Sequence, residues 1–155
     1  MKYQSIVLTL VIVSAALTAC NEQENVLTDS VQKPDSTVLP RWYTPEQVTQ
    51  GAVVFAENCA QCHGEQAEGI HDDWRERLDD GSFPPPPLNG SAHAWHHPRS
   101  ILLRVINNGG IPLGGQMPAF EDVLDEQEKL AAIAYFQDFW SDEIYGNWLE
   151  MGGVD

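Results

Sequence analysis

Apolar residues recur at three- and four-residue spacing in three segments of this chain, and that spacing is typical of amphipathic helices. The first segment carries Val48, Val54 and Phe55 on one face. Residues 44–47, Thr-Pro-Glu-Gln, precede it and supply a capping hydroxyl, a proline suited to the first turn and a glutamine at the capping-box position. We predict a helix that starts there and runs directly into Cys59.

Two later segments predict two more helices. One opens at Pro98, has its apolar residues within 101–106 and is stopped by Asn-Asn-Gly-Gly at 107–110. The other covers about 125–140. Residues 64–90 have no sustained period and contain four consecutive prolines, which cannot continue a helix. Because alternating strand patterns are essentially absent, we predict an all-α domain with long loops.

The start of the chain differs from this domain. Lys2 is followed by an apolar run over 6–17 and by small residues just before Cys20, which is the pattern of an export signal. The run is shorter than the roughly 20 apolar residues that span a bilayer, so a membrane or core helix is the weaker alternative. We predict four regions: a signal peptide at 1–19, a flexible polar spacer at 20–43, the helical domain at 44–140 and an acidic tail at 141–155. The tail either packs on the domain or meets a partner.

The composition is strongly acidic, with 8 Lys and Arg against 23 Asp and Glu and a formal net charge of −15. Loss of residues 1–19 removes Lys2 alone and changes that charge from −15 to −16. Such a chain does not bind nucleic acid or an anionic membrane surface by electrostatics. The negative charge suits docking to a redox partner with a basic surface, or it simply keeps the chain well solvated.

The motif with the most specific chemistry is Cys59-Ala60-Gln61-Cys62-His63. Cys-x-x-Cys-His predicts covalent attachment of a c-type haem. Two cysteines three positions apart on a helical turn present both sulfurs on one side, where they add to the porphyrin vinyl groups, and the next histidine ligates the iron. Zinc needs further ligands and a thioredoxin-like pair needs a preceding strand. Both alternatives are weaker here. The domain has no other cysteine to complete a zinc site, and a helix rather than a strand precedes the motif.

Residues 44–140 resemble a bacterial class I cytochrome c. That family has a glycine and an aromatic residue four apart before the haem motif, and Gly51 and Phe55 match this pattern. It also has a C-terminal helix whose aromatic residue, here Tyr135 or Phe136, packs across the glycine. The resemblance implies one covalently bound haem c inside three to five helices.

The same resemblance implies a second axial ligand opposite His63. The family places its distal methionine in a loop, often before proline, and residues 114–120, Gly-Gly-Gln-Met-Pro-Ala-Phe, put Met117 in such a segment. A thioether ligand favours ferrous iron and raises the reduction potential relative to two histidines. The alternatives are core packing of the methionine and ligation by another histidine: His71, His93, His96 or His97.

A proline segment and a histidine cluster complete the predicted haem environment. By the Pro-x-Leu-x-Gly spacing of the family, the carbonyl of Pro86 accepts the imidazole N–H and Leu88 packs on the haem; a stiff polyproline spacer is the alternative. At 93–97, His-Ala-Trp-His-His contributes Trp95, and its histidines, with Arg99 or Arg104, are candidates for hydrogen bonds to the propionates. An exposed patch or an adventitious copper or zinc site is the other interpretation.

Residues 17–20, Leu-Thr-Ala-Cys, resemble a bacterial lipoprotein signal, in which the cysteine becomes the lipid-bearing N-terminus. The resemblance implies a lipidated Cys20 and anchoring to a bacterial membrane, facing the periplasm or the cell exterior, without a spanning helix. It also accounts for the third cysteine, because the haem uses Cys59 and Cys62. Ordinary cleavage that leaves a free thiol is the alternative.

These features predict a mono-haem electron-transfer protein rather than an enzyme. If His63 and Met117 both bind iron, no coordination position remains for a substrate. We expect such a chain to shuttle single electrons between redox partners at the periplasmic membrane surface. The alternatives are a haem peroxidase or gas sensor with a labile sixth ligand, and a tethered cytochrome subunit of a larger oxidase or dehydrogenase.

Overall fold

The computed structural model describes residues 39–155. The predictions for the signal peptide, for the lipidation of Cys20 and for most of the spacer therefore lie outside the described residues.

Within 39–155 the chain forms five α-helices and no strand: α1 Pro45–Asn58, α2 Ala60–His63, α3 Arg99–Asn108, α4 Glu126–Asp138 and α5 Asp142–Glu150. Two single turns of 3₁₀ helix, Ala94–His96 and Ile111–Leu113, lie in the long connections. The prediction of an all-α fold is confirmed. None of the helices in this part of the chain combines the length and hydrophobicity needed to cross a bilayer.

Capping boxes set the starts of α1 and α4. The Gln47 N–H donates to Thr44 Oγ1 at 3.3 Å, while Gln47 Oε1 accepts from the Thr44 N–H at 2.9 Å. Asp125 and Glu128 exchange the same pair of bonds at 2.8 Å each. Each box satisfies two backbone donors that the first turn leaves without partners. Both helices therefore begin where the local sequence predicts.

Helices α1 and α4 cross at Gly51. A Cβ placed there would overlap the Ala131 carbonyl oxygen and lie 2.9 Å from Tyr135 Cβ, so only glycine permits this approach of the two backbones. One turn later, the Phe55 ring lies 5.1 Å from the Tyr135 ring. Of the two aromatic candidates, Tyr135 is thus the one at the glycine. Phe136 is instead buried in the main core cluster, whose large members also include Phe55, Leu102, Ile133, Trp140, Tyr145 and Trp148. The crossing presses α4 against the helix that leads into Cys59.

The acidic segment after residue 140 packs on the domain. Helix α5 buries Tyr145 and Trp148 completely, and the Trp148 indole N–H donates to the His97 carbonyl at 2.9 Å. Beyond the helix, the Asp155 carboxylate accepts from the Ser100 N–H at 3.2 Å, in the first turn of α3. The core also includes Leu39, Trp42 and Tyr43, which precede α1 in the sequence.

Candidate functional site

The Cys-x-x-Cys-His motif lies at the junction of α1 and α2. At Cys59 the backbone leaves helical geometry, with φ −121° and ψ −36°, while its N–H still donates to the Phe55 carbonyl at 2.8 Å. The Cys59 carbonyl then accepts from the N–H groups of Cys62 and His63, both at 3.0 Å. One tight turn therefore carries both cysteines and the histidine.

Both cysteines of this turn are free thiols. Cys62 is exposed, whereas Cys59 is half-buried and packs against the main core cluster. Burial, together with the neighbouring Cys62, raises the pKa of the Cys59 thiol to about 11. Thiol–disulfide exchange uses the thiolate, so this environment is poorly suited to a dithiol redox pair.

The imidazole of His63 is only 8% exposed, and its Nδ1 lies 2.9 Å from the Pro86 carbonyl oxygen. A carbonyl only accepts, so Nδ1 carries the proton and Nε2 keeps its lone pair. Burial lowers the pKa of His63, although the bond to Pro86 opposes that shift. Burial therefore favours the neutral imidazole, which is the form that binds metal through Nε2.

The proline segment that provides this carbonyl is fixed just downstream, at Leu88. The N–H groups of Leu88 and Asn89 both donate to the Ala67 carbonyl, at 2.7 and 3.1 Å. The Leu88 carbonyl accepts from the indole N–H of Trp140 at 2.7 Å. The side chain of Leu88 packs against the same core cluster as Cys59.

The loop that carries Met117 folds back over the end of α3. The Gly110 N–H donates to the Met117 carbonyl at 2.9 Å, and the Phe120 N–H donates to the Ile106 carbonyl at 2.9 Å. Gly109 has φ +77°, and a Cβ there would lie 2.7 Å from the Met117 carbonyl oxygen. These contacts seat the half-buried methionine backbone against α3. Its ligation of iron stays a prediction.

The segment 93–97 forms an aromatic cluster. The His93 ring stacks on Trp74 at 4.6 Å and meets the edge of His97 at 5.4 Å. Burial and the neighbouring histidines lower the pKa of both His93 and His97. Trp95 packs against the main core cluster and lies 3.8 Å from the His96 ring.

Across residues 39–155, no group of three or more His, Cys, Asp or Glu side chains is placed to hold a metal ion.

Arg99 has most of its contacts with the C-terminal segment. Its backbone N–H donates to the Gly153 carbonyl at 2.8 Å, and its Nη2 donates to the Asp155 carbonyl at 3.1 Å. The guanidinium carbon also lies 4.8 Å from the centre of the Trp42 ring. These contacts do not test binding to haem propionates, which stays a prediction for Arg99.

Two hydrogen bonds around the motif are not predicted from the sequence. The Tyr135 hydroxyl donates to the Glu65 carbonyl at 2.8 Å, just after His63, and Trp140 holds the Leu88 carbonyl. Both aromatic residues appear in the sequence only as apolar positions of the predicted helix at 125–140. Their polar atoms find partners 70 and 52 residues away, and no local pattern signals such pairs.

Comparison with known proteins identifies relatives of this chain. Residues 46–136, which include the haem motif and Met117, match the family model of cytochrome c oxidase, cbb3-type, subunit III. The cbb3-type cytochrome c oxidase subunit FixP of Bradyrhizobium sp. (strain ORS 278) is 36% identical over 85 residues, which are 55% of this chain and 25% of the relative. The similarity thus spans about a quarter of that relative's length. No solved structure matches the chain.

A cytochrome c domain of this kind carries covalently bound haem c, and the residues of the turn fit that group. Two free thiols lie three positions apart on one turn. A buried neutral histidine follows them directly, with Nδ1 occupied and the Nε2 lone pair free. The donor set is therefore that of thioether attachment and iron ligation.

We predict that Gly109→Ala destabilises the haem-loaded protein more than Gly152→Ala. Both glycines have positive φ, +77° and +80°, so both variants lose about 1 kcal/mol to backbone strain. Nothing lies within 4 Å of a Cβ at Gly152, whereas one at Gly109 collides with the Met117 loop. Gly109→Ala should therefore lose about 2–4 kcal/mol in all. The measurement is the free energy of unfolding in denaturant, and equal losses would contradict the loop contact.

Proposed function

Because this chain belongs to the family of cytochrome c oxidase, cbb3-type, subunit III, we propose that it is an electron-transfer protein that passes single electrons between redox partners. One observation carries this proposal above all others. The buried, neutral His63 imidazole is fixed by the Pro86 carbonyl directly after the thiols of Cys59 and Cys62. That arrangement suits a permanently held redox group and offers no obvious substrate chemistry of its own.

Each residue of the site has a defined part in this function. Cys59 and Cys62 would hold the haem through two thioether bonds, formed by addition of each S–H group to a vinyl group. His63 Nε2 and the Met117 thioether would be the ligands of its iron. Haem c, when bound, supplies reversible one-electron chemistry between ferric and ferrous iron.

The surrounding side chains tune that chemistry. Pro86 keeps the imidazole proton on Nδ1 and increases the basicity of the ligand. Leu88 and Trp95, which like Cys59 pack against the main core cluster, would exclude water from the redox group. With both axial positions filled by protein ligands, the chain is not itself an enzyme in this proposal.

The chain's location follows, in this proposal, from its first residues. The lipoprotein-like segment at 17–20 supports lipidation of Cys20, since Cys59 and Cys62 are already used by the haem. The polar spacer would then tether the helical domain to a bacterial membrane, facing the periplasm or the exterior. The family match and the FixP relative favour a second candidate, in which the tethered domain serves as a subunit of a cytochrome c oxidase.

The loop of Met117 is a candidate docking surface for the redox partner. Ile111 and Leu113 are 66% and 69% exposed on its 3₁₀ turn. A hydrogen bond holds the loop to the segment before the prolines, because the Gln116 amide donates to the Asp80 carboxylate at 2.8 Å. Since the whole chain has a formal net charge of −15, we propose a partner that surrounds an apolar contact with basic side chains.

The ligand assignment predicts that Met117→Ala lowers the reduction potential while the haem stays attached. Loss of the thioether removes the ligand that favours ferrous iron, and the sulfur-to-iron absorption band of the ferric protein disappears. Met151→Ala is the control, because Met151 is exposed at the end of α5 and should change neither quantity. Potentiometric titration and absorption spectra of the full-length protein make the comparison.

Three results would oppose this ligand assignment. An unchanged potential and band in Met117→Ala would remove Met117 from the iron. Loss of the haem from that variant would contradict attachment through Cys59 and Cys62 alone. A high-spin ferric spectrum of the unmodified protein at neutral pH would instead favour a peroxidase or gas sensor with an open sixth position.

The docking proposal predicts that Leu113→Ser slows electron transfer to a small basic redox protein several-fold. Val53→Ser is the control, because Val53 is 57% exposed but lies on α1. In all variants the second-order rate constant should fall as salt is added, since salt screens the attraction between opposite charges. Stopped-flow kinetics measures both effects. Equal rates in the two variants, or a rate that rises with salt, would contradict the docking surface.

A further inference from the structure

Trp140 occupies a position that packing alone does not explain. It follows α4, is only 2% exposed, and donates its indole N–H to the Leu88 carbonyl at 2.7 Å. Leu88 lies two residues after Pro86, whose carbonyl accepts the Nδ1 proton of His63 at 2.9 Å. Two hydrogen bonds and the short backbone segment 86–88 between them therefore connect Trp140 with the imidazole.

The peptide groups of Leu88 are held on both sides. The N–H of Leu88 donates to the Ala67 carbonyl at 2.7 Å, and its carbonyl is held by Trp140. Ala67 is completely buried and has φ +56°, a conformation that costs free energy in a residue with a Cβ. The surrounding fold therefore maintains an unfavourable backbone geometry at the place where the proline segment is anchored.

The backbone that leads from the anchor at Leu88 to the imidazole bond at Pro86 is stiff. Pro86 and Pro87 both have a fixed φ, because the pyrrolidine ring closes that torsion. Few backbone rotations are left between the Leu88 peptide and the Pro86 carbonyl. A displacement of Leu88 is therefore passed on to the carbonyl that faces His63.

We propose that Trp140 is a positioning residue for the proximal imidazole. Its indole N–H holds the Leu88 carbonyl, and through the stiff prolines it sets the hydrogen bond from His63 to Pro86. This inference rests on the proposed function, because the effect is read at the iron that His63 ligates. A strong bond to Pro86 makes the imidazole a more basic ligand, which stabilises ferric iron.

Trp148 provides a matched control for this role. It is also fully buried in the main core cluster and donates its indole N–H to a backbone carbonyl, that of His97, at 2.9 Å. Trp140→Phe and Trp148→Phe thus each remove one buried indole donor and leave one carbonyl without it. Only the first removes a bond to the proline segment.

The test compares these two variants as full-length, haem-loaded protein. In Trp140→Phe we expect a higher reduction potential and faster solvent exchange of the His63 Nδ1 proton by NMR, because the bond to Pro86 loosens. In Trp148→Phe we expect the potential and the exchange rate of the unmodified protein, even if its stability falls. Equal potentials and exchange rates in both variants would overturn the role of Trp140.

A second variant covers the case in which Trp140→Phe does not fold. Pro87→Ala leaves Trp140 in place but frees the backbone between Leu88 and Pro86, so the potential should again rise. An unchanged potential and exchange rate in Pro87→Ala would contradict the coupling. Absence of haem from the unmodified protein would instead refute the proposed function, so the two failures are distinguishable.

Discussion

The hydrogen bond between His63 Nδ1 and the Pro86 carbonyl joins two parts of the chain that lie 23 residues apart. It decides which imidazole nitrogen carries the proton and which is left for a metal. The bond also links the turn at 59–63, which carries Cys59 and Cys62, to the proline-rich loop that faces the His63 imidazole. Neither partner is held by this bond alone, since each belongs to a segment that the helices fix independently.

Helix α4 and Trp140, two residues beyond its C-terminal end, support both of these segments. The helix approaches α1 closely at Gly51, which positions the end of α1 and therefore Cys59. The Tyr135 hydroxyl binds the Glu65 carbonyl after the motif, and the Trp140 indole binds the Leu88 carbonyl beside the prolines. A small domain gains core volume from a covalent apolar group, and these two hydrogen bonds hold the segments on either side of the residues proposed to bind it.

The sequence predicts those parts of the structure that local interactions determine. The starts of α1 and α4 follow from Thr44 and Asp125, because a capping box is made by residues three positions apart. The family pattern likewise indicated the turn at 59–63. Helix α5 is not predicted from the sequence because it is short and acidic. Its stability comes from the burial of Tyr145 and Trp148 against residues that are distant in the sequence. The contacts of Arg99 with the C-terminal segment are of the same long-range kind.

The proposed function requires one haem bonded covalently to Cys59 and Cys62 in the mature protein. The most direct measurement is the intact mass of the purified, denatured chain together with its visible absorption spectrum. We predict a mass increased by that of one haem, which stays attached on denaturation, and the reduced spectrum of a c-type cytochrome. A colourless chain, or one whose haem separates on denaturation, would contradict it.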